Sequence, residues 1–212
     1  MGCDRGGEVS RAQLPGAVFD TRVIPVLRGL DTARAVAVAG VLHDSGIAVV
    51  EITMESPDAG ASIRACIAAG SVVGAGTVLT IADAEAAVDA GAEFLVAPHT
   101  DLDVVGWAVD RSIPIVPGCF TPTEVATAWR VGASAIKIFP ASVGGPDLLS
   151  AVRGPFGDLP LIPTGGVTAA NAASFLAAGA VAVGIGGWLT NHDDPHVIAV
   201  RASAVLEICR PR

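Results

Sequence analysis

The sequence predicts an α/β fold, a (β/α)8 TIM barrel in a single domain, on three observations. The candidate strands are nearly continuous apolar runs rather than alternating ones, the pattern of a parallel sheet covered on both faces. They recur at intervals of roughly 20 to 30 residues, and an alanine-rich helical segment stands between each pair. No linker or break in composition divides the 212 residues, a length that suits one domain with a sizeable core. An open doubly wound sheet is the competing architecture, but eight equal units leave no obvious edge strand.

Residues 1–20 are polar and broken by Pro15, so a loose arm or short helix is expected there, with the barrel over 21–212. Strands are expected at Val23–Leu27, Ala48–Ile52, Val72–Ala75, Phe94–Ala97, Ile113–Val116, Ala135–Ile138, Leu159–Ile162 and Ala182–Ile185. Each is a short apolar run bounded by Gly, Pro or Thr. Helices are expected to start near Thr32, Pro57, Ile81, Asp101, Pro122, Pro146, Ala169 and Pro195. Proline suits the first helical turn, where its missing N–H is no loss. Asp31, Thr121 and Thr168 precede helical segments and read as N-caps. The helical segments carry Gly40, Gly46, Gly91, Gly132 and Gly179, several of which precede the next strand and read as helix ends.

Composition narrows the function. A net charge of -8 argues against a general nucleic-acid surface, though a local pocket can still be positive. No apolar stretch approaches the ~20 residues needed to cross a bilayer. The first residues carry no apolar signal core, and Gly2 lacks the Ser or Thr that an acylation motif needs at Gly6. Cys3, Cys66, Cys119 and Cys209 are widely spaced and form no metal or redox pattern, which fits reduced thiols in the cytoplasm. No metal, cofactor, membrane or nucleic-acid partner is expected.

The only lysine, Lys137, lies inside the apolar run Ala135-Ile136-Lys137-Ile138. Arginine supplies every other basic side chain, so this position wants an amine. Burial disfavours a charged amine, and a neutral amine can attack a carbonyl to form a Schiff base. A buried stem paired with a carboxylate is the commoner fate of a lone lysine in a strand. The residues at the other strand ends reverse those odds, because barrel chemistry sits where the strands end.

Strand one leads to Arg28, strand two to Glu51, strand three to Gly76-Thr77, strand four to Pro98-His99 and strand five to Pro117-Gly118. Strand six carries Lys137 and Phe139, strand seven leads to Thr164-Gly165-Gly166, and strand eight to Gly184, Gly186 and Gly187. A partly buried Glu51 has a raised pKa and can exchange protons near neutrality. Its alternative is an ion pair with Lys137 or Arg28. Arg28 can hold a carboxylate bidentately, or pair with Glu51 or Glu55 on the rim. Thr77 follows small residues that let a ligand approach the backbone. The loops at Gly165-Gly166 and Gly186-Gly187 can offer backbone N–H groups to a phosphate. His99 reads as a rim residue, and Trp107, Trp129 and Trp188 as helix packing or subunit contacts. Cys119 has no activating base beside it in sequence.

Val26-Leu27-Arg28, Val50-Glu51-Ile52-Thr53, Gly74-Ala75-Gly76-Thr77-Val78, Ala97-Pro98-His99, Ile115-Val116-Pro117-Gly118, Ile136-Lys137-Ile138-Phe139-Pro140 and Pro163-Thr164-Gly165-Gly166-Val167 resemble the signature segments of bacterial 2-keto-3-deoxy-6-phosphogluconate (KDPG) aldolases, also called 2-keto-4-hydroxyglutarate (KHG) aldolases. The resemblance runs in order from about residue 20 to 190. It implies a (β/α)8 barrel, usually a homotrimer, that needs no cofactor and acts on small 2-keto acids and aldehydes. It implies that Lys137 forms the imine and Glu51 moves protons. Arg28 and Thr77 would hold the substrate carboxylate, with Pro98, Phe139 and Thr164 binding the rest. Two departures stand out. Glu55 occupies a position where some members carry arginine, and Gly187 one where many carry a phosphate-binding serine. The implied reaction is cleavage of 2-keto-3-deoxy-6-phosphogluconate to pyruvate and glyceraldehyde 3-phosphate. An unphosphorylated acid, the phosphogalactonate epimer and a non-aldolase phosphate-binding barrel are the alternatives.

Overall fold

A computed structural model describes residues 11–211. The expectations for Cys3, for Gly2 and for the first half of the N-terminal arm lie outside the described residues. The short helix α1 (Gly16–Thr21) precedes β1 (Val23–Leu27), and strands then alternate with helices. The order is α2 (Thr32–Asp44), β2 (Val49–Thr53), α3 (Ala59–Ala68), β3 (Val72–Gly76), α4 (Ile81–Asp89), β4 (Phe94–Val96) and α5 (Leu102–Asp110). There follow β5 (Ile115–Val116), β6 (Gly118–Cys119), α6 (Pro122–Arg130), β7 (Ile136–Ile138), α7 (Ala141–Phe156) and β8 (Leu161–Pro163). The chain ends through α8 (Ala169–Ala177), β9 (Val183–Ile185), α9 (Gly187–Thr190) and α10 (Pro195–Cys209).

Every strand pairing is parallel. Six strands run in the order β5-β4-β3-β2-β1-β9, and three in the order β6-β7-β8. The two sheets meet at both ends of this curled surface. β5 and β6 are one stretch interrupted at Pro117, which has no N–H to give a ladder. Its carbonyl still accepts from Lys137 N, so β7 follows the strand across the break. On the other side a single bridge joins Thr164 to Gly184.

All five residues of β1 and all five of β2 are buried; β1 is accordingly an unbroken apolar run, while β2 buries Glu51 and Thr53 among its apolar residues. One face packs inward, and the other packs beneath the helices. Leu27, Ile52, Phe94, Leu95, Ile115, Ile136 and Ile138 are among the largest fully buried side chains. Each contributes about 1.5–3 kcal/mol by leaving water. The helices are pinned by their caps. Asp31 accepts from Arg34 N, and Thr80, Thr121 and Thr168 form capping boxes with Asp83, Glu124 and Asn171. Such caps are worth about 1 kcal/mol each.

Several expectations need correction. Of the glycines in the helical segments, Gly40 lies inside α2, and Gly46, at φ 94°, takes the left-handed position beyond that helix. Strand five does not stop before Pro117-Gly118, because Gly118 and Cys119 resume pairing with β7. The helix expected at Pro146 is preceded by a turn from Ala141, and Gly145 (φ 61°, ψ -167°) kinks the two pieces. α3 begins at Ala59 rather than near Pro57. The four-residue α9 after β9 has no counterpart in the sequence reading.

Candidate active site

The C-terminal ends of β1, β7, β8 and β9 line a cavity of about 330 Å³. Lys137, Phe139 and Thr164 line it together with Arg28 and the backbone of Gly165, Gly166, Gly186 and Gly187. These eight come from segments that lie far apart in the chain. The parallel ladders bring them together, since every strand ends on the same face.

Lys137 is the middle residue of β7 and is only 2% exposed. It is registered between Gly118 and Ile162. Its Nζ stands 4.9 Å from the centroid of the Phe139 ring, a distance at which the ring face attracts a cation. Glycine across the ladder matters here. A Cβ on Gly118 would collide with the Pro98 carbonyl, so the strand beside Lys137 can approach β4 only as glycine.

Glu51 is the middle residue of β2 and is also 2% exposed, more deeply buried than its sequence position suggests. Its Oε1 has no hydrogen-bond partner among the described residues, and none of them forms an ion pair with it. Burial pushes its carboxyl above the ordinary value, outweighing the nearby positive charges of Lys137 and Arg28; Glu55 adds a small push in the same upward direction. A Cβ on Gly76 would strike the Glu51 carboxylate, and one on Gly74 would strike the Phe94 ring. The small residues of β3 therefore make room for the protein's own side chains rather than for a ligand. Gly184 does the same for the Thr164 side chain.

Arg28 follows β1 directly. Its Nη1 donates to Glu55 Oε1 at 2.9 Å, so the rim ion pair forms with Glu55 and not with Glu51. Its Nη2 lies 3.5 Å from Thr77 Oγ1. Thr77 takes φ 54°, a left-handed conformation that is costly for a β-branched residue and directs its hydroxyl to this rim.

Not every candidate lines the cavity. Glu51 sits in the core, linked to the site through Lys137 and Arg28, and Thr77 reaches it through Arg28. Pro98 is half-buried and packs with its backbone against Gly118, away from the cavity lining. His99 is exposed, as a rim residue would be. Cys119 is buried and shares a hydrogen bond with Thr100, and burial pushes its thiol up to about 11, which leaves no thiolate at neutral pH. Val26, Val167, Thr168 and Trp188 line the cavity and were not expected there. Trp188 read as packing or subunit contact; its position right after Gly186-Gly187 was the available signal. No cluster of His, Cys, Asp and Glu among the described residues is arranged to hold a metal ion.

These features have counterparts in known proteins. A family model described as KDPG and KHG aldolase matches residues 17–202. A probable 2-dehydro-3-deoxy-6-phosphogalactonate aldolase of Rhizobium meliloti is 38% identical over 84% of this chain and 85% of its own length. A 2-dehydro-3-deoxy-phosphogluconate aldolase of Treponema pallidum is 36% identical over 82% of this chain and 84% of its own. Among solved structures, the Zymomonas mobilis 2-keto-3-deoxy-6-phosphogluconate aldolase with 3-phosphoglycerate is 31% identical with a TM-score of 0.85, covering 92% of this chain and 95% of that one. A Legionella pneumophila KDPG aldolase, with pyruvate captured as a covalent carbinolamine, is 30% identical with a TM-score of 0.79, covering 93% and 97%. This chain belongs to the KDPG and KHG aldolase family, and it is accordingly a carbon–carbon lyase.

Proposed function

We propose that this protein is a class I aldolase that cleaves 2-keto-3-deoxy-6-phosphogluconate to pyruvate and glyceraldehyde 3-phosphate, with Lys137 as the imine-forming residue. The observation that carries the reading is the sole lysine of the chain, 2% exposed and lining the cavity beside Phe139. Lys137 Nζ attacks the C2 carbonyl, and loss of water leaves a protonated imine. Glu51, acting through a water, takes the proton from the C4 hydroxyl. The C3–C4 bond breaks, its electron pair moves into the imine to give an enamine, and the aldehyde leaves. Glu51 returns the proton to C3, and hydrolysis frees pyruvate and the amine. A carboxyl held above its ordinary value suits both halves of this exchange.

Arg28 and Thr77 hold the substrate carboxylate, and Phe139 packs on the pyruvyl group. Thr164 binds a substrate oxygen. The role of Pro98 is indirect: it holds Gly118 in place beside Lys137. The glycine backbones at Gly165, Gly166, Gly186 and Gly187, with the start of α8 beyond them, receive the phosphate. The phosphogalactonate epimer is a second reading, favoured by the name of the 38% identical relative. The two sugar acids differ only at C4, and comparing kcat/KM for the two epimers decides between them.

The curled sheet is read as a closed (β/α)8 barrel in one domain. Pro117 and the Thr164–Gly184 bridge support that reading, since the strands continue across both seams. The assembly is read as a homotrimer, with Leu79, Ile81 and Leu102 as exposed apolar side chains available for burial. Among the described residues no helix is long and apolar enough to cross a membrane. The enzyme is assigned to the cytoplasm and to the Entner–Doudoroff route of sugar-acid breakdown.

Incubation with pyruvate and borohydride tests the central claim. The protein is expected to gain one reduced pyruvyl group on the peptide containing Lys137. Lys137→Met, close in volume, is expected to fold and to take up none. Trapping that persists in this variant overturns the assignment.

A further inference from the structure

We propose that Glu55 is a positioning residue for Arg28: it holds one end of the guanidinium so that the other end is presented, beside Thr77, to the carboxylate of the 2-keto acid. This rests on the reading that Arg28 binds that carboxylate.

The backbone around Arg28 is clamped from both sides by two buried hydroxyls. Thr53 Oγ1 donates to the carbonyl of Leu27 at 3.3 Å, and Gly29 N donates to Ser56 Oγ at 2.9 Å. The two hydroxyls are themselves 3.0 Å apart. Thr53 is fully buried and Ser56 is 6% exposed, so the clamp sits largely beneath the surface. It fixes the Cα of Arg28 against the end of β2, the strand that carries Glu51.

The clamp leaves the side chain itself free. More than half of the Arg28 side chain is exposed, and four torsions separate its guanidinium from the fixed backbone. Glu55 lies between the two clamping residues in sequence, so its own backbone is held by the same network. Its carboxylate takes Arg28 Nη1 at 2.9 Å. That contact leaves Nη2 toward Thr77 Oγ1, at 3.5 Å, and Arg28 itself lines the cavity. A guanidinium has five donors in a fixed fork, so holding one end with Glu55 does not saturate it.

Two effects of Glu55 oppose one another. Its negative charge repels an incoming carboxylate, and its hydrogen bond removes the rotamer freedom that substrate binding would otherwise have to remove. The pair stands on the rim, where water and salt screen the repulsion, so ordering is the larger effect. Immobilising one long side chain corresponds to about three- to tenfold in affinity.

The test measures the pyruvate concentration that half-saturates imine trapping, alongside kcat for cleavage, in Glu55→Ala, Glu55→Gln and Arg28→Ala. Glu55→Ala is expected to raise half-saturation about three- to tenfold with kcat within about twofold. Glu55→Gln keeps an oxygen that can accept from Nη1 and is expected to restore most of the lost affinity. Arg28→Ala is expected to raise half-saturation at least tenfold, and adding Glu55→Ala to it should change nothing further. If Glu55→Ala leaves half-saturation unchanged or lowers it while Arg28→Ala raises it, the positioning role fails and carboxylate binding by Arg28 stands. If Glu55→Gln behaves like Glu55→Ala, charge rather than orientation is at work and the proposal also fails. If Arg28→Ala has no effect, the underlying reading falls, and the proposal with it.

Discussion

Glu51 carries two consequences of one placement. An unpartnered carboxylate in the core is poor for stability and useful for moving protons, because burial holds it above its ordinary value of 4.5. The unfolded chain ionises near that ordinary value while the folded one stays protonated to higher pH. Stability is therefore lost as pH rises above about 4.5, until the folded group also ionises. Glu51→Gln removes that loss, so its melting temperature is expected to exceed the parent's at neutral pH and to converge with it near pH 4. The same variant should still trap pyruvate but cleave about 10²- to 10⁴-fold more slowly. Thermal melts across the pH range and single-turnover assays check the two arms separately. Lys137 was legible in the sequence because it is unique and sits among apolar neighbours. The depth of Glu51 was not, because the space it occupies is granted by Gly76 on another strand.

At the level of elements, the strands were the most readable part, since double-sided burial writes itself as unbroken apolar runs. Boundaries were less so. Pro117 looked like the end of a strand because proline cannot donate to a ladder, yet its carbonyl can still accept, and pairing resumes at Gly118. The glycines of the β3 end looked like a ligand approach because sequence does not reveal which neighbour will fill the gap. The loops after β8 and β9, expected to offer backbone N–H groups to a phosphate, line the cavity, while the short α9 and the place of Trp188 escaped notice. Gly187 in particular invites substitution. A Cβ there would meet Asn191 Cβ at 3.6 Å, an ordinary contact, so the backbone position accepts a side chain. Gly187→Ser is expected to widen the preference for phosphorylated over unphosphorylated substrate by about tenfold at most, the worth of one neutral hydrogen bond of about 0.5–1.5 kcal/mol. The ratio of kcat/KM values for the two substrates reports it. An unchanged ratio would place the phosphate elsewhere.

Over the whole molecule, the single buried lysine has a use unrelated to catalysis. A protease that cuts only after lysine finds one internal target, the bond between Lys137 and Ile138, and that bond lies in the middle of β7. Its neighbours Ile136 and Ile138 are buried, and the strand is paired on both edges. Local fraying at surface loops cannot offer this bond; opening it requires the sheet itself to come apart. A brief pulse of such a protease in graded urea is expected to leave folded molecules whole and to convert unfolded ones into two pieces, residues 1–137 and 138–212. The fraction cut should trace the same transition as circular dichroism. Cutting that runs ahead of the spectroscopic change would reveal an opening of β7 before the rest. The lone lysine thus makes the chain its own gauge of global unfolding, with one bond to count and no background from the surface.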